Sequence, residues 1–253
     1  MSILLATAVC FAMASPPGGV PPAPSAALPT MNEPVAAVPK SELEKRLEAI
    51  DARSAEVRTL RGRFVQKKHT PLLKKPMESS GTVVVKGDKT RWETLEPRKT
   101  VMTIDGEGLR IFFPEQKVVE VYRLGDDARE FAGSPLPRLS ALRGSFDISQ
   151  AKNLDMGASD EDGSLVAIEL LPRTAELKEH VTRVRVLIDS GVPAVRRIEI
   201  VDADGEKTEI EFKDVEINKD VSDEELILKL PTGTREVHPL GETVPAKPKG
   251  AAK

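Results

Sequence analysis

The sequence predicts a mainly β fold with few helices, built on one large, curved antiparallel sheet. Short apolar stretches recur from residue 63 to residue 230, and Gly, Pro and Asp residues of the kind found in turns separate them. In Thr208–Val215, Ile210 and Phe212 alternate with charged residues, which is typical of a half-buried strand. Helical spacing is confined to two stretches, and the closely spaced hairpins exclude βαβ units.

An N-terminal helix is predicted to begin at Ser41. Ser41 and Glu44 have the spacing of a capping box, in which two side chains satisfy free backbone amides at a helix start. The apolar residues that follow recur at helical spacing as far as Leu60, so we expect the helix to end near Gly62.

Roughly ten strands are expected after this helix. They cover Arg63–Lys68, Gly81–Lys86, Arg91–Thr94, Val101–Ile104, Leu109–Phe113, Val118–Leu124, Leu165–Leu171, Thr182–Asp189, Arg197–Val201, Thr208–Val215 and Leu226–Leu230. Ser134–Phe146 interrupts them, and its Leu136, Leu139 and Leu142, spaced three apart, predict one side of a short helix. Two helices are too few to cover the apolar face of such a sheet, so the sequence also predicts a cavity.

The two ends of the chain are predicted to lie outside the folded domain. Residues 1–14 are predicted to be a secretory signal peptide, because the apolar run is too short to span a bilayer and ends in Ala12-Met13-Ala14. Residues 15–39, with eight prolines, form a Pro/Ala-rich linker, residues 40–241 the folded domain, and residues 242–253 a disordered tail. No basic residue precedes Lys40, so a disordered apolar N-terminus of a cytosolic protein stays an alternative to the signal peptide. Lipidation of Cys10 is a further alternative.

Composition and motifs argue against several classes of function. A net charge of -3 and few aromatic residues argue against nucleic-acid binding. His69, His180 and His238 are far apart, no nucleophile motif is present, and one cysteine cannot form a zinc site, so we expect no enzyme, no metal and no cofactor. Asp202-Ala203-Asp204-Gly205 fits a hairpin turn better than a calcium loop.

Two lysine pairs, Lys67-Lys68 and Lys74-Lys75, lie in or near a loop between the first two strands. A solvated loop is the simpler interpretation, and docking to an acidic partner is the alternative.

The order of motifs in residues 60–124 resembles the periplasmic outer-membrane lipoprotein carrier family, LolA. Phe64 and Gln66 follow the helix, Gly81 leads the next strand, and Arg91-Trp92 and Pro97 come before Asp105-Gly106 and Pro114. The later half is similar more loosely, with Leu171-Pro172 and a closing Pro231 and Gly233.

This resemblance implies an incomplete, strongly curved antiparallel barrel, a half β-barrel, with a helical lid over an apolar cavity. It also implies a periplasmic monomer that takes acylated lipoproteins from an inner-membrane ABC-type complex and passes them to an outer-membrane acceptor. Strand parity places six side chains in the lipid cavity, namely Val83, Val85, Trp92, Leu109, Ile111 and Phe113. Leu136, Leu139 and Leu142 would lie on the lid.

One position departs from the family pattern. Where the family has Arg-Pro after the Gly-led strand, this chain has Lys86-Gly87-Asp88-Lys89, so Lys86, Lys89 or Arg91 would have to fasten the lid. Two alternatives to the carrier function stay open. They are an envelope lipid-binding sensor or regulatory protein on the same half-barrel, and an interaction module with a filled core.

Overall fold

A computed structural model describes residues 41–123, 139–151 and 164–239 of the 253-residue chain. It contains one large, open and curved sheet of twelve strands. The helices are α1 (Glu42–Ser54), α2 (Leu139–Leu142) and α3 (Ala175–His180). The strands are β1 (Thr59–His69), β2 (Met77–Lys86), β3 (Lys89–Glu96), β4 (Thr100–Asp105), β5 (Gly108–Phe113), β6 (Val118–Tyr122), β7 (Phe146–Gln150), β8 (Leu165–Pro172), β9 (Val181–Asp189), β10 (Ala194–Asp202), β11 (Lys207–Ile217) and β12 (Arg235–Val237).

The strand order is β12-β6-β5-β4-β3-β2-β1-β11-β10-β9-β8-β7. Every neighbouring pair is antiparallel except β12 and β6, which are parallel. Strands β1 and β11 therefore join two hairpin-connected halves of the sheet at its centre. This architecture confirms the mainly β, open-sheet prediction.

Helix α1 begins as the sequence predicts. The Ser41 hydroxyl accepts a hydrogen bond from the Glu44 amide, and the Glu44 carboxylate accepts one from the Ser41 amide at 2.8 Å. The expected end near Gly62 is wrong, because the helix stops at Ser54 and β1 begins at Thr59. Leu60 keeps helical spacing but pairs with Val85 on one side and Ile217 on the other, so this segment is part of the sheet.

The expected strand over Leu226–Leu230 is also wrong. After a 3₁₀ turn at Asp223–Glu225, this part of the chain runs without strand pairing across the face of the sheet opposite α1. Three short elements were not expected from the sequence, namely β7, α3 and β12. Residues 202–205 form the predicted turn of the β10–β11 hairpin.

The two faces of the sheet carry separate apolar clusters. The inner face, defined as the one on which α1 packs, holds Leu47 and Ile50 of that helix against Leu60, Phe64 and residues from β2 and β8–β11. The outer face holds two smaller clusters. They are capped by Val221, Leu226 and Leu228 of residues 218–234, the stretch between β11 and β12 that is called the C-terminal segment below. Leu136 and the predicted signal peptide and linker lie outside the described residues, as does the tail. Among the residues described, no helix is both long and apolar enough to cross a bilayer.

Candidate functional site

The inner face of strands β2–β6 carries two continuous rows of cross-strand neighbours. In the first row, Val83 pairs with Trp92, Trp92 with Met102, and Met102 with Ile111. Because each strand alternates its side chains between the two faces, these pairs share one surface. Three of the six residues predicted for the cavity lie in this row.

The second row runs beside the first. Val85 pairs with Thr90, Thr90 with Ile104, Ile104 with Leu109, and Leu109 with Tyr122. It contains two more of the predicted residues. The sixth, Phe113, is half-buried and packs against the cluster of Met102, Ile104, Leu109, Ile111 and Tyr122. The structure thus brings all six predicted cavity residues to the inner face.

Trp92 lies at the junction between this cluster and the core beneath α1. Its ring is 5.0 Å from that of Phe64 and 5.6 Å from that of Phe212, in tilted and edge-on contacts. Such aromatic pairs add specific geometry to apolar burial. Trp92 packs against both clusters and so joins them into one apolar surface.

A polar pair lies at the β6 end of this surface. The Tyr122 hydroxyl donates a hydrogen bond to a Glu120 carboxylate oxygen at 2.8 Å. Burial, together with this carboxylate, raises the pKa of Tyr122 well above its ordinary value, which keeps the phenol protonated. The pair adds a hydrogen-bonding group to a face on which Thr90 is also polar and the remaining members of the two rows are apolar.

A small cavity lies on the inner face among the described residues. It measures about 20 Å³, lies beside Trp92 and is lined by Phe64, Gln66, Met102 and Ile210, with Thr94 and Thr100. A space of that size holds about one water molecule. An acyl chain can therefore reach this cavity only if the elements covering the inner face move.

Helices α1 and α2 form the described part of that cover. Leu139 of α2 is 2% exposed and belongs to the core beneath α1, and Leu142 packs against the same core. The Leu139 amide donates to the Asp51 carboxylate at 2.8 Å, which ties α2 to α1. Two of the three predicted lid leucines thus pack in the core beneath α1, where their role on a lid stays a prediction, and Leu136 lies outside the described residues.

Two arginines that sequence analysis missed hold α1 in place. The Arg53 guanidinium donates to the carbonyl of Ser190 and, at 2.6 Å, to that of Gly191 in the β9–β10 turn. Arg46 donates to the carbonyl of Leu165 at 3.3 Å. No sequence motif predicts these hydrogen bonds, because their acceptors are backbone atoms more than one hundred positions away.

The three basic residues considered for lid fastening make other contacts. Lys86 binds the Val221 carbonyl at 2.9 Å and the Asp223 carboxylate at 2.8 Å, and Arg91 donates to the Ile227 carbonyl at 3.1 Å. Lys89 is exposed near the same segment, where its charge helps to lower the pKa of Asp223 after the larger effect of Lys86. All three thus act at the C-terminal segment, and a lid-fastening role for any of them stays a prediction.

A larger cavity, of about 640 Å³, lies on the outer face between the sheet and the C-terminal segment. Its walls include Val84, Val101 and Phe112 but also paired charges, such as Arg61 with Glu225 at 2.7 Å. Lys99 and Arg91, which also line it, hold the pKa of the Glu93 carboxyl below its usual value although burial opposes this. Such a charged wall suits an acyl chain poorly.

A family model described as outer membrane lipoprotein carrier protein LolA matches residues 55–226. The chain belongs to the LolA family. An outer-membrane lipoprotein carrier protein of Dechloromonas aromatica is 29% identical over 162 residues, which cover 64% of this chain and 72% of the relative.

Solved structures of similar fold include a LolA superfamily protein from Nitrosomonas europaea. The two are 14% identical with a TM-score of 0.38, and the match covers 75% of this chain and 99% of that one. A chain of the Pseudomonas aeruginosa MucA/MucB complex is 13% identical with a TM-score of 0.44, covering 75% of this chain. The match spans only 62% of the length of that chain.

Proposed function

We propose that this member of the LolA family is a periplasmic carrier that shields the acyl chains of lipoproteins and transfers them from the inner to the outer membrane. The observation that carries the proposal is the mainly apolar inner face of β2–β6, which extends from Val83 to Tyr122 and continues into the core on which α1 and α2, called the cover, pack. The name of the relative from Dechloromonas aromatica, an outer-membrane lipoprotein carrier protein, supports it.

Acyl chains bind such a surface through the hydrophobic effect. Each methylene group removed from water contributes about 0.8 kcal/mol, so contact with a few side chains is enough to hold a chain in water. Val83, Val85, Trp92, Leu109, Ile111 and Phe113 are the proposed contacts. Aliphatic side chains lack directional bonds to the ligand, which leaves release possible once a better apolar environment is offered.

Loading and release require the cover to move. The cavity beside Trp92 is too small for an acyl chain, so in this proposal α1 and α2 separate from the sheet before acyl chains enter. Among the described residues, the polar contacts that oppose this separation include those of Arg46, Arg53 and Asp51. Binding then selects an open state whose population these contacts set.

The proposed partners follow from this cycle. They are acylated lipoproteins as cargo, an inner-membrane ABC-type lipoprotein-releasing complex as donor and an outer-membrane acceptor. The carrier is proposed to work as a monomer in the periplasm after removal of residues 1–14. We propose no catalytic step, because shielding and transfer break no covalent bond.

Native mass spectrometry of the protein purified gently from the periplasm tests this proposal. We expect a co-purifying acylated protein, and we expect Trp92→Ala to reduce its occupancy. Ile227→Ser is the control, because Ile227 is 54% exposed and lies on the C-terminal segment away from the inner face.

The other outcomes distinguish the two alternatives. Phospholipid as the sole co-purifying molecule would replace the carrier proposal with a lipid sensor. An empty protein that also fails to bind a fluorescent fatty acid would refute an acyl-binding inner face and leave an interaction module.

A further inference from the structure

The loop between β1 and β2 presents two leucines to solvent. Leu72 is 90% exposed and Leu73 is 51% exposed, and Met77 at the start of β2 is 38% exposed. Single exposed apolar residues are common on protein surfaces, but two adjacent leucines at these levels are not. They make this loop the most concentrated exposed apolar feature in the part of the chain that the structure describes.

The loop is held as a projecting tip. Strands β1 and β2 stay paired up to Lys68 and Met77, so residues 69–76 cap a regular hairpin. The Leu73 amide donates to the Thr70 carbonyl at 3.1 Å, which closes a turn at the tip. Pro71 and Pro76 restrict the backbone on either side of the two leucines.

The tip carries a positive charge from Lys74 and Lys75, since Lys67 and Lys68 at its base pair with carboxylates. Residues 67–77 contain four lysines and no carboxylate, in a chain whose net charge is -3. Lys67 and Lys68 pair with Glu78 and Glu206 along the strands, whereas Lys74 and Lys75 are exposed directly beside the leucines.

We propose that residues 70–77 form a docking loop for the surface of a bilayer that contains anionic phospholipids. Leu72 and Leu73 insert among the upper acyl carbons, while Lys74 and Lys75 contact lipid phosphates. Apolar insertion beside a basic cluster is the combination that gives reversible binding to anionic membranes.

The size of the tip favours a lipid surface over a protein partner. A specific protein interface buries about 800 Å² on each side, with shape complementarity over 20 to 30 residues. One hairpin turn offers far less area, but insertion into a bilayer requires no matching shape. The proposal concerns a surface separate from the inner face, so it holds or fails independently of the carrier function.

Flotation of the exported full chain with lipid vesicles tests the proposal. We expect the protein to float with vesicles of phosphatidylethanolamine and phosphatidylglycerol but only weakly with phosphatidylcholine, and to detach as salt rises. Leu72→Ser combined with Leu73→Ser should lower partitioning at least about tenfold. Lys74→Ser combined with Lys75→Ser should lower it about tenfold or more on anionic vesicles alone.

Ile227→Ser is the matched control, since Ile227 is as exposed as Leu73 but lies on the C-terminal segment, and its partitioning should equal that of the wild type. Failure of the wild type to float with anionic vesicles, or equal flotation of the double leucine variant, would overturn the docking loop. Binding of a fluorescent fatty acid should be unchanged in both loop variants. That measurement reports on the inner face and separates a failed docking loop from a failed carrier.

Discussion

Replacing Arg53 with alanine should make the inner face easier to open. The guanidinium of Arg53 ties the last turn of α1 to the carbonyls of Ser190 and Gly191. Hydrogen bonds from a charged donor contribute about 1.5–3 kcal/mol when buried, but Arg53 is exposed and solvent screens it. We therefore assign about 1–2 kcal/mol to the two bonds together.

That free energy sets the expected change in binding. Since 1.4 kcal/mol is a factor of ten, loss of both bonds should raise the open population about 5- to 30-fold. The apparent Kd for a fluorescent fatty acid should fall by the same factor, because the proposed cycle has the ligand bind the open state. The free energy of unfolding should fall by about 1–2 kcal/mol.

Fluorescence titration and urea denaturation of Arg53→Ala and Arg58→Ala make the test. Arg58 is also exposed and follows α1 by a few residues, but its contact to Asn218 comes from the backbone amide, so its replacement should change neither quantity. An unchanged Kd in Arg53→Ala, together with the expected loss of stability, would refute the role of this contact in holding the cover closed.

Two further substitutions probe the sheet. Gly81→Ala should destabilise the protein by about 3 kcal/mol in urea denaturation, because its Cβ would lie 1.9 Å from the carbonyl oxygen of Glu93. Gly106→Ala, with open space around the new Cβ, should change the free energy of unfolding by less than about 1 kcal/mol. Equal destabilisation by the two substitutions would contradict the close approach of Gly81 to Glu93. Burial raises the pKa of Asp202 from 3.8 to about 6, so its contribution to stability is present below pH 4 and lost as the pH rises through 6. The free energy of unfolding of Asp202→Asn should therefore rise by up to about 3 kcal/mol relative to the wild type between pH 4 and pH 7. Asp204→Asn, at an exposed position, should show no such rise. Parallel curves of stability against pH for Asp202→Asn and the wild type would exclude this effect.

Local signals predicted the features that depend on neighbouring residues. The capping box at Ser41 involves residues three apart, so the helix start could be recognised from the sequence. Alternation within β2 and β5 was enough to assign Val83, Val85, Leu109 and Ile111 to one face. Parity follows from the pleat of a single strand and needs no knowledge of its partners.

Features that depend on distant partners could not be predicted from the sequence. Leu226–Leu230 has the composition of a strand, but the edges of β1–β5 are already paired, so Leu226 and Leu228 cover the outer face instead. Arg53 is one of many charged residues on an exposed helix face, and its acceptors lie 137 and 138 positions away. The size of the inner-face cavity could not be predicted from the sequence either, because side-chain packing across the sheet determines it.

The central pairing of β1 with β11 has a consequence for how the chain folds. These strands bring together residues such as Arg63 and Asp214, which are 151 positions apart along the chain. Until β11 is available, one edge of β1 has no partner, and an unpaired edge of this length is prone to pair with other chains. Contacts of such long range also make folding slow. A half-sheet β1–β6 that forms first would be prone to aggregate, so protection during synthesis should matter most before residue 217 is free to pair.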